Sequence, residues 1–215
     1  MGYMLIDTGG SRSFPGPHKL LEGAAGDGEV VLVVGCNVDA GLAQIAGRDR
    51  RAAILLELWT ECLGVHTGEA RGAEGSNVLG FARYRLGHAE PTNLIELVRQ
   101  PRTSPEALTA AKALFEAAGF AVTVCGDFPG RIVDRLIRPY LNAALRRLDE
   151  GLASADDMDT TLRLGLGYPE GPISLLERTG LAQHFDITQA LYEQLGDAAY
   201  APARRARVAT LRDKG

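Results

Sequence analysis

Val30-Val31-Leu32-Val33-Val34 is an unbroken, mostly β-branched run that stops at Gly35. A strand with one wet face alternates apolar and polar residues. A run with no polar position is buried on both faces, as in a parallel sheet covered by helices. This segment argues for a layered α/β fold, and its surroundings agree. Tyr3–Asp7 is a shorter apolar run closed by Gly9-Gly10, and strand-like runs recur at Ile54–Leu58, Val78–Phe81, Ile95–Val98 and Ala121–Cys125. Between them lie helical patterns: a short one from Val38 or Asp39 to Gly47, and one from Ser104 to Gly119. Ser104 supplies an N-cap for the latter and Pro105 its first turn. Such alternation predicts an open α/β sheet over residues 1–126.

After Gly126 the periodicity changes. Ile132, Leu136, Tyr140, Ala144 and Leu148 recur every four positions, with Val133, Ile137, Leu141 and Leu145 beside them. This predicts a helix of about 20 residues, roughly 30 Å long, with a broad apolar face. Pro139 bends it and Gly151 ends it. Ser154 and Asp157 have capping-box spacing for a second helix, and Pro172 suits the first position of a third. Residues 127–215 therefore read as a helical domain, with the boundary near Gly126–Pro129.

Composition narrows the function classes. Hydrophobic content of 46% and charged content of 23% are ordinary for globular chains. A net charge of −4 without a dense Lys/Arg block argues against a nucleic-acid partner. Arg204-Arg205-Ala206-Arg207 reads as a solvated helix face. No apolar run reaches the ~20 residues of a bilayer span. The N-terminus has an early acid and no basic leader, so no signal peptide or membrane association is expected. Cys36, Cys62 and Cys125 are odd in number and widely separated, and read as reduced thiols of a cytoplasmic protein. His18 and His66 lack metal-ligand spacing, and no metal is expected. His184 reads as partly buried packing, Trp59 as a sheet-end core residue, and Arg135 and Arg138 as lying on the polar side of the long helix.

From Asp127 the chain runs D-F-P-G-R-I-V-D-R-L-I-R-P-Y-L-N-A-A-L, then E-G-L-A-S-A-D-D-M-D, then G-L-G-Y-P-E-G-P-I-S-L-L. This resembles the 3-hydroxyacyl-CoA dehydrogenase family, with its P-G-F-I-V-N-R-L helix, E-G-x-A-S turn, D-x-D pair and G-x-G-x-P-x-G-P-x-x-L-L segment. The whole chain is similar to the second half of long bacterial members. The resemblance implies an α/β plus all-α fold: a truncated Rossmann-like parallel sheet followed by a helical dimerisation domain. It also implies NAD as cofactor and an acyl-CoA as substrate, with a general-base His, a Glu that orients it, and a Ser and an Asn at the reacting oxygen or thioester.

Carried over by position, Ala82 stands where the family has its His, and Glu96 matches the Glu. His88 is the imidazole available nearby. Asp134 replaces the Asn, and the Ser position falls near Glu61-Cys62. No G-x-G-x-x-G occurs; Gly9 and Gly10, after the first strand, are the nearest candidates for cofactor contact. Gly165–Gly171 follows a helix and matches the family's structural turn. The expectation is a family protein of fatty-acyl-CoA or aromatic-acid catabolism with weak or no NAD-dependent activity alone. It would act as a dimerising or acyl-CoA-binding subunit, as a homodimer or beside a catalytic dehydrogenase subunit. Two alternatives stay open: an active oxidoreductase interconverting 3-hydroxyacyl-CoA and 3-oxoacyl-CoA, and a non-catalytic CoA-thioester binding module.

Overall fold

The computed structural model describes residues 2–213; Met1, Lys214 and Gly215 lie outside the described residues. Two compact units emerge: one holds Met1–Arg85 and Pro91–Ile132, the other Leu86–Glu90 and Val133–Gly215.

The first unit is a six-stranded sheet in the order β1 (Tyr3–Asp7), β2 (Val30–Val34), β3 (Ala53–Glu57), β4 (Val78–Arg83), β5 (Leu94–Arg99) and β6 (Ala121–Gly126). The short helices α1 (Lys19–Glu22), α2 (Val38–Ala43) and α3 (Gly64–Thr67) precede β2, β3 and β4, and α4 (Pro105–Ala117) joins β5 to β6. Every pairing is parallel except β4 with β5. The sheet is thus mostly rather than wholly parallel, because β4 and β5 are joined without a crossover helix and fold back on each other.

β2 and β3 are buried at every position, as unbroken apolar runs require. One face of the sheet packs Leu32, Leu55, Leu79 and Leu97 against Phe14, Leu20 and α4. The other packs Val31, Val33, Ile54 and Leu56 against Val38, Leu42 and Leu63. The β1–β2 connection therefore crosses one face, and the next two connections cross the other. All three step the same way along the sheet, so the first has the opposite hand to its successors, a departure from the near-universal right-handed rule.

The second unit holds α5 (Val133–Asp149), α6 (Ala155–Leu166), α7 (Pro172–Thr179), α8 (Leu181–Leu195) and α9 (Arg204–Asp213). Ser154 caps α6 by accepting from Asp157 N at 3.1 Å, as its spacing predicts. Asp159 reaches across to α7, accepting from Ile173 N (2.9 Å), Ser174 N (2.8 Å) and the Ser174 hydroxyl (2.5 Å). A Cβ at Gly171 would lie 2.2 Å from the Asp159 side chain. The D-x-D and G-P motifs therefore lock one helix to the next.

α5 buries the expected apolar positions Leu141, Ala144 and Leu145 but not the whole stripe. Its buried positions include Asp134, Arg138 and Asn142, whereas Leu136 is 69% exposed. Periodicity identifies an apolar stripe without saying whether this chain's own core covers it.

Candidate functional site

Ligands of open α/β sheets sit beyond the carboxyl ends of the strands, at the point where strand order reverses. Among the described residues the order runs from β1 to β6 without reversal. What the sheet does offer is a crevice of about 470 Å³ at the ends of β1, β2 and β3, lined by residues that include Gly10, Gly35, Glu57 and Trp59.

Gly9 and Gly10 follow β1 with φ of 81° and 70°, which suits glycine. Their turn is closed from within. Gly9 N donates to Asp7 Oδ1 at 2.8 Å, and Cys36 N donates to Gly9 O at 2.8 Å. The side chain of Glu57, at the end of β3, is buried and accepts from Ser13 N at 2.6 Å and from Gly35 N at 2.8 Å. Backbone N–H groups at strand ends are what a dinucleotide's phosphates would use. Here three of them hold the chain's own carboxylates, which would also repel phosphate. The residues present do not fit NAD at this position.

On the neighbouring strands, register places Ala82 opposite Glu96. Ala82 has no group to take a proton. Glu96 is buried; its Oε1 accepts from Ile132 N at 3.0 Å, and its Oε2 lies 3.6 Å from Arg131 Nε. Arg131 stands at the Phe of the P-G-F-I-V-N-R-L pattern, has φ of 51°, and also donates to the carbonyl of Trp59. A non-glycine residue in this region is strained and must be held by its surroundings. The buried ion pair supplies that hold. Nothing in the sequence marked Arg131, because its partner lies 35 positions earlier on another strand.

His88 and Asp134 belong to the helical unit. His88 is exposed; its backbone N donates to Thr179 O at 2.8 Å, and a Cβ on the preceding Gly87 would meet that same oxygen at 1.8 Å. Asp134 is buried and accepts from Arg138 Nε at 2.7 Å. Arg138 in turn donates to His184 Nδ1 at 3.0 Å, so His184 carries its proton on Nε2 and donates to Asn142 Oδ1 at 3.0 Å. Burial, and then the Arg138 charge, lower the His184 pKa to about 3, keeping the ring neutral. Arg138 lies on a polar side of α5 that is buried rather than exposed, and His184 is fully buried and hydrogen-bonded rather than partly buried packing.

One further expectation changes. Trp59 is 43% exposed, not core. The basic run does form a solvated helix face, with Arg204 and Arg207 exposed, and Arg204 and Arg205 also reach Asp149 Oδ1 on α5, at 2.9 and 2.7 Å. Cys62, near the family's Ser position, has its pKa pushed up to about 11 by burial and by Asp127, so its thiol stays protonated.

The family model of the 3-hydroxyacyl-CoA dehydrogenase C-terminal domain matches residues 130–213. A probable 3-hydroxybutyryl-CoA dehydrogenase of Deinococcus radiodurans is 34% identical over 110 residues, which are 51% of this chain and 40% of that protein. The human mitochondrial hydroxyacyl-coenzyme A dehydrogenase is 42% identical over 88 residues, 41% of this chain and 28% of that one. The chain thus covers less than half the length of these relatives. Among solved structures, (S)-3-hydroxybutyryl-CoA dehydrogenase PaaH1 of Ralstonia eutropha shares the fold, with a TM-score of 0.67 at 22% identity, over 86% of this chain and 66% of that one. Residues 130–213 are the C-terminal domain of the 3-hydroxyacyl-CoA dehydrogenase family, and they stand behind a Rossmann-like N-terminal part.

Proposed function

We propose that this chain is a subunit of acyl-CoA metabolism that binds or helps enclose an acyl-CoA and self-associates, without transferring hydride to or from NAD by itself. The observation that carries this reading is the buried Glu96–Arg131 pair facing Ala82. The carboxylate that would orient a base has an arginine for a partner, and the position opposite it bears a methyl group. Loss of a positioned general base alone costs roughly 10²–10⁴-fold in rate. The carboxylates at Gly9, Ser13 and Gly35 support the same conclusion for the cofactor. Self-association is supported by the apolar side chains that α5 and α6 leave uncovered, Leu136, Leu164 (78% exposed) and Leu166 among them. Pairing with a catalytic dehydrogenase subunit would use the same face.

Thermal unfolding with added ligands tests the reading, since a ligand stabilises the state it binds. Acetoacetyl-CoA is expected to raise Tm in a concentration-dependent way, and NAD to leave it unchanged. Stabilisation by NAD equal to that by acetoacetyl-CoA would overturn it, and would favour the alternative of a working oxidoreductase.

A further inference from the structure

We propose that the crevice at the ends of β1, β2 and β3 binds a small organic ammonium ion with an aromatic or alkyl body. Its charged lining is mainly acidic: Asp39, Glu57 and Glu61 stand against Arg12, whose Nη2 is directed to the Arg85 carbonyl at 2.9 Å. A phosphate would find carboxylates on the backbone donors; a cation finds complementary charge.

His66 supplies the specific contact. Its side chain is only 8% exposed, yet it lines the crevice. Nδ1 lies 2.7 Å from Asp39 Oδ1, which fixes the neutral ring with its proton on Nδ1. Nε2 is buried without a hydrogen-bond partner, and Glu61 Oε1 lies 3.6 Å away, beyond hydrogen-bond reach. A buried nitrogen left this way carries a cost that a ligand can remove. An ammonium N–H bonded to Nε2 would meet Glu61 as well, since Glu61 is held in place by Trp59 N at 3.0 Å. The half-exposed indole of Trp59 adds a surface for the cation and its apolar body. In the free protein a proton at Nε2 does the ligand's work: Glu61 and Asp39 raise the His66 pKa against the effect of burial. Ammonium and proton therefore compete.

Trp59 is the sole tryptophan of the chain, so its fluorescence reports on this crevice directly. Titration with phenethylammonium is expected to give a saturable change that tightens as pH rises and the proton leaves His66. ADP at matched ionic strength is expected to give none. By calorimetry, Glu61→Gln is expected to weaken phenethylammonium roughly tenfold or more through loss of a charge-assisted bond. Asp39→Asn, at a mostly exposed position, is expected to weaken it in the same direction. The proposal is overturned if phenethylammonium gives no saturable signal, if ADP binds as tightly, or if both variants bind it unchanged.

Discussion

Arg138 carries a full charge with no exposed surface, tolerable only because Asp134 lies 2.7 Å away and His184 accepts a second bond. The arrangement has a direction: Asp134 accepts from Arg138, Arg138 donates to His184, and His184 donates to Asn142, whose Nδ2 donates to the Ala199 carbonyl at 3.3 Å. Asp134 is therefore an anchor for Arg138 in this unit rather than a carboxylate open to a ligand. The native pKa of His184, about 3, lies below its ordinary value of 6.5. Between those two pH values the unfolded chain binds a proton that the native chain does not. The stability contribution is intact above about pH 6.5 and is lost as pH falls toward about 3, with a slope that approaches about 1.4 kcal/mol per pH unit. Nitrogen NMR of the four histidines at about pH 5 checks the cause. His184 is expected to show the neutral Nε2–H tautomer, and a cationic pattern there would refute the relay.

At the level of elements, α5 accommodates Pro139 by a contact made far along the chain. A proline has no N–H to give the carbonyl four residues earlier, here that of Arg135. The hydroxyl of Tyr200 donates to that carbonyl at 3.1 Å. Tyr200→Phe is expected to cost about 1 kcal/mol in urea unfolding. In a Pro139→Ala background, where the helix can make the bond itself, the same change is expected to cost less. An equal cost in both backgrounds would show that the hydroxyl does not serve the gap. The elements themselves were legible in the chain. The all-apolar run at Val30–Val34 is a fully buried strand, Ser104 and Ser154 are caps, and Pro172 opens a helix. These signals are local, each decided by φ preference or by a side chain reaching its own backbone. What stayed hidden is long-range. Nothing near Glu57 announces that it will take N–H groups 44 and 22 positions away. Nor does the four-residue spacing of Leu136 reveal that solvent or another subunit faces it. Of the candidate site, Ala82 and Glu96 could be matched by position, whereas Arg131, Arg138 and the crevice around His66 depend on pairings that only the folded chain makes.

Across the molecule, two features of the sheet bear on function. Strand order advances without reversal among the described residues, and the β1–β2 step differs in hand from those after it. A doubly wound sheet opens its ligand crevice where order reverses, because helices on opposite faces there diverge. In this sheet β1 and β2 are direct neighbours, and carboxylates from Asp7 and Glu57 occupy backbone N–H groups at their ends. The helical unit keeps the family's ordered motifs and turns them to helix capping and buried ion pairing. On the function proposed above, the helical unit serves association and the sheet does not hold the oxidant. Hydride transfer can be followed directly by mixing the purified protein with NADH and saturating acetoacetyl-CoA and recording NADH absorbance. The expected result is a rate indistinguishable from that of the mixture without protein. Sustained oxidation of NADH at rates ordinary for enzymes, about 1–10³ per second, would contradict it.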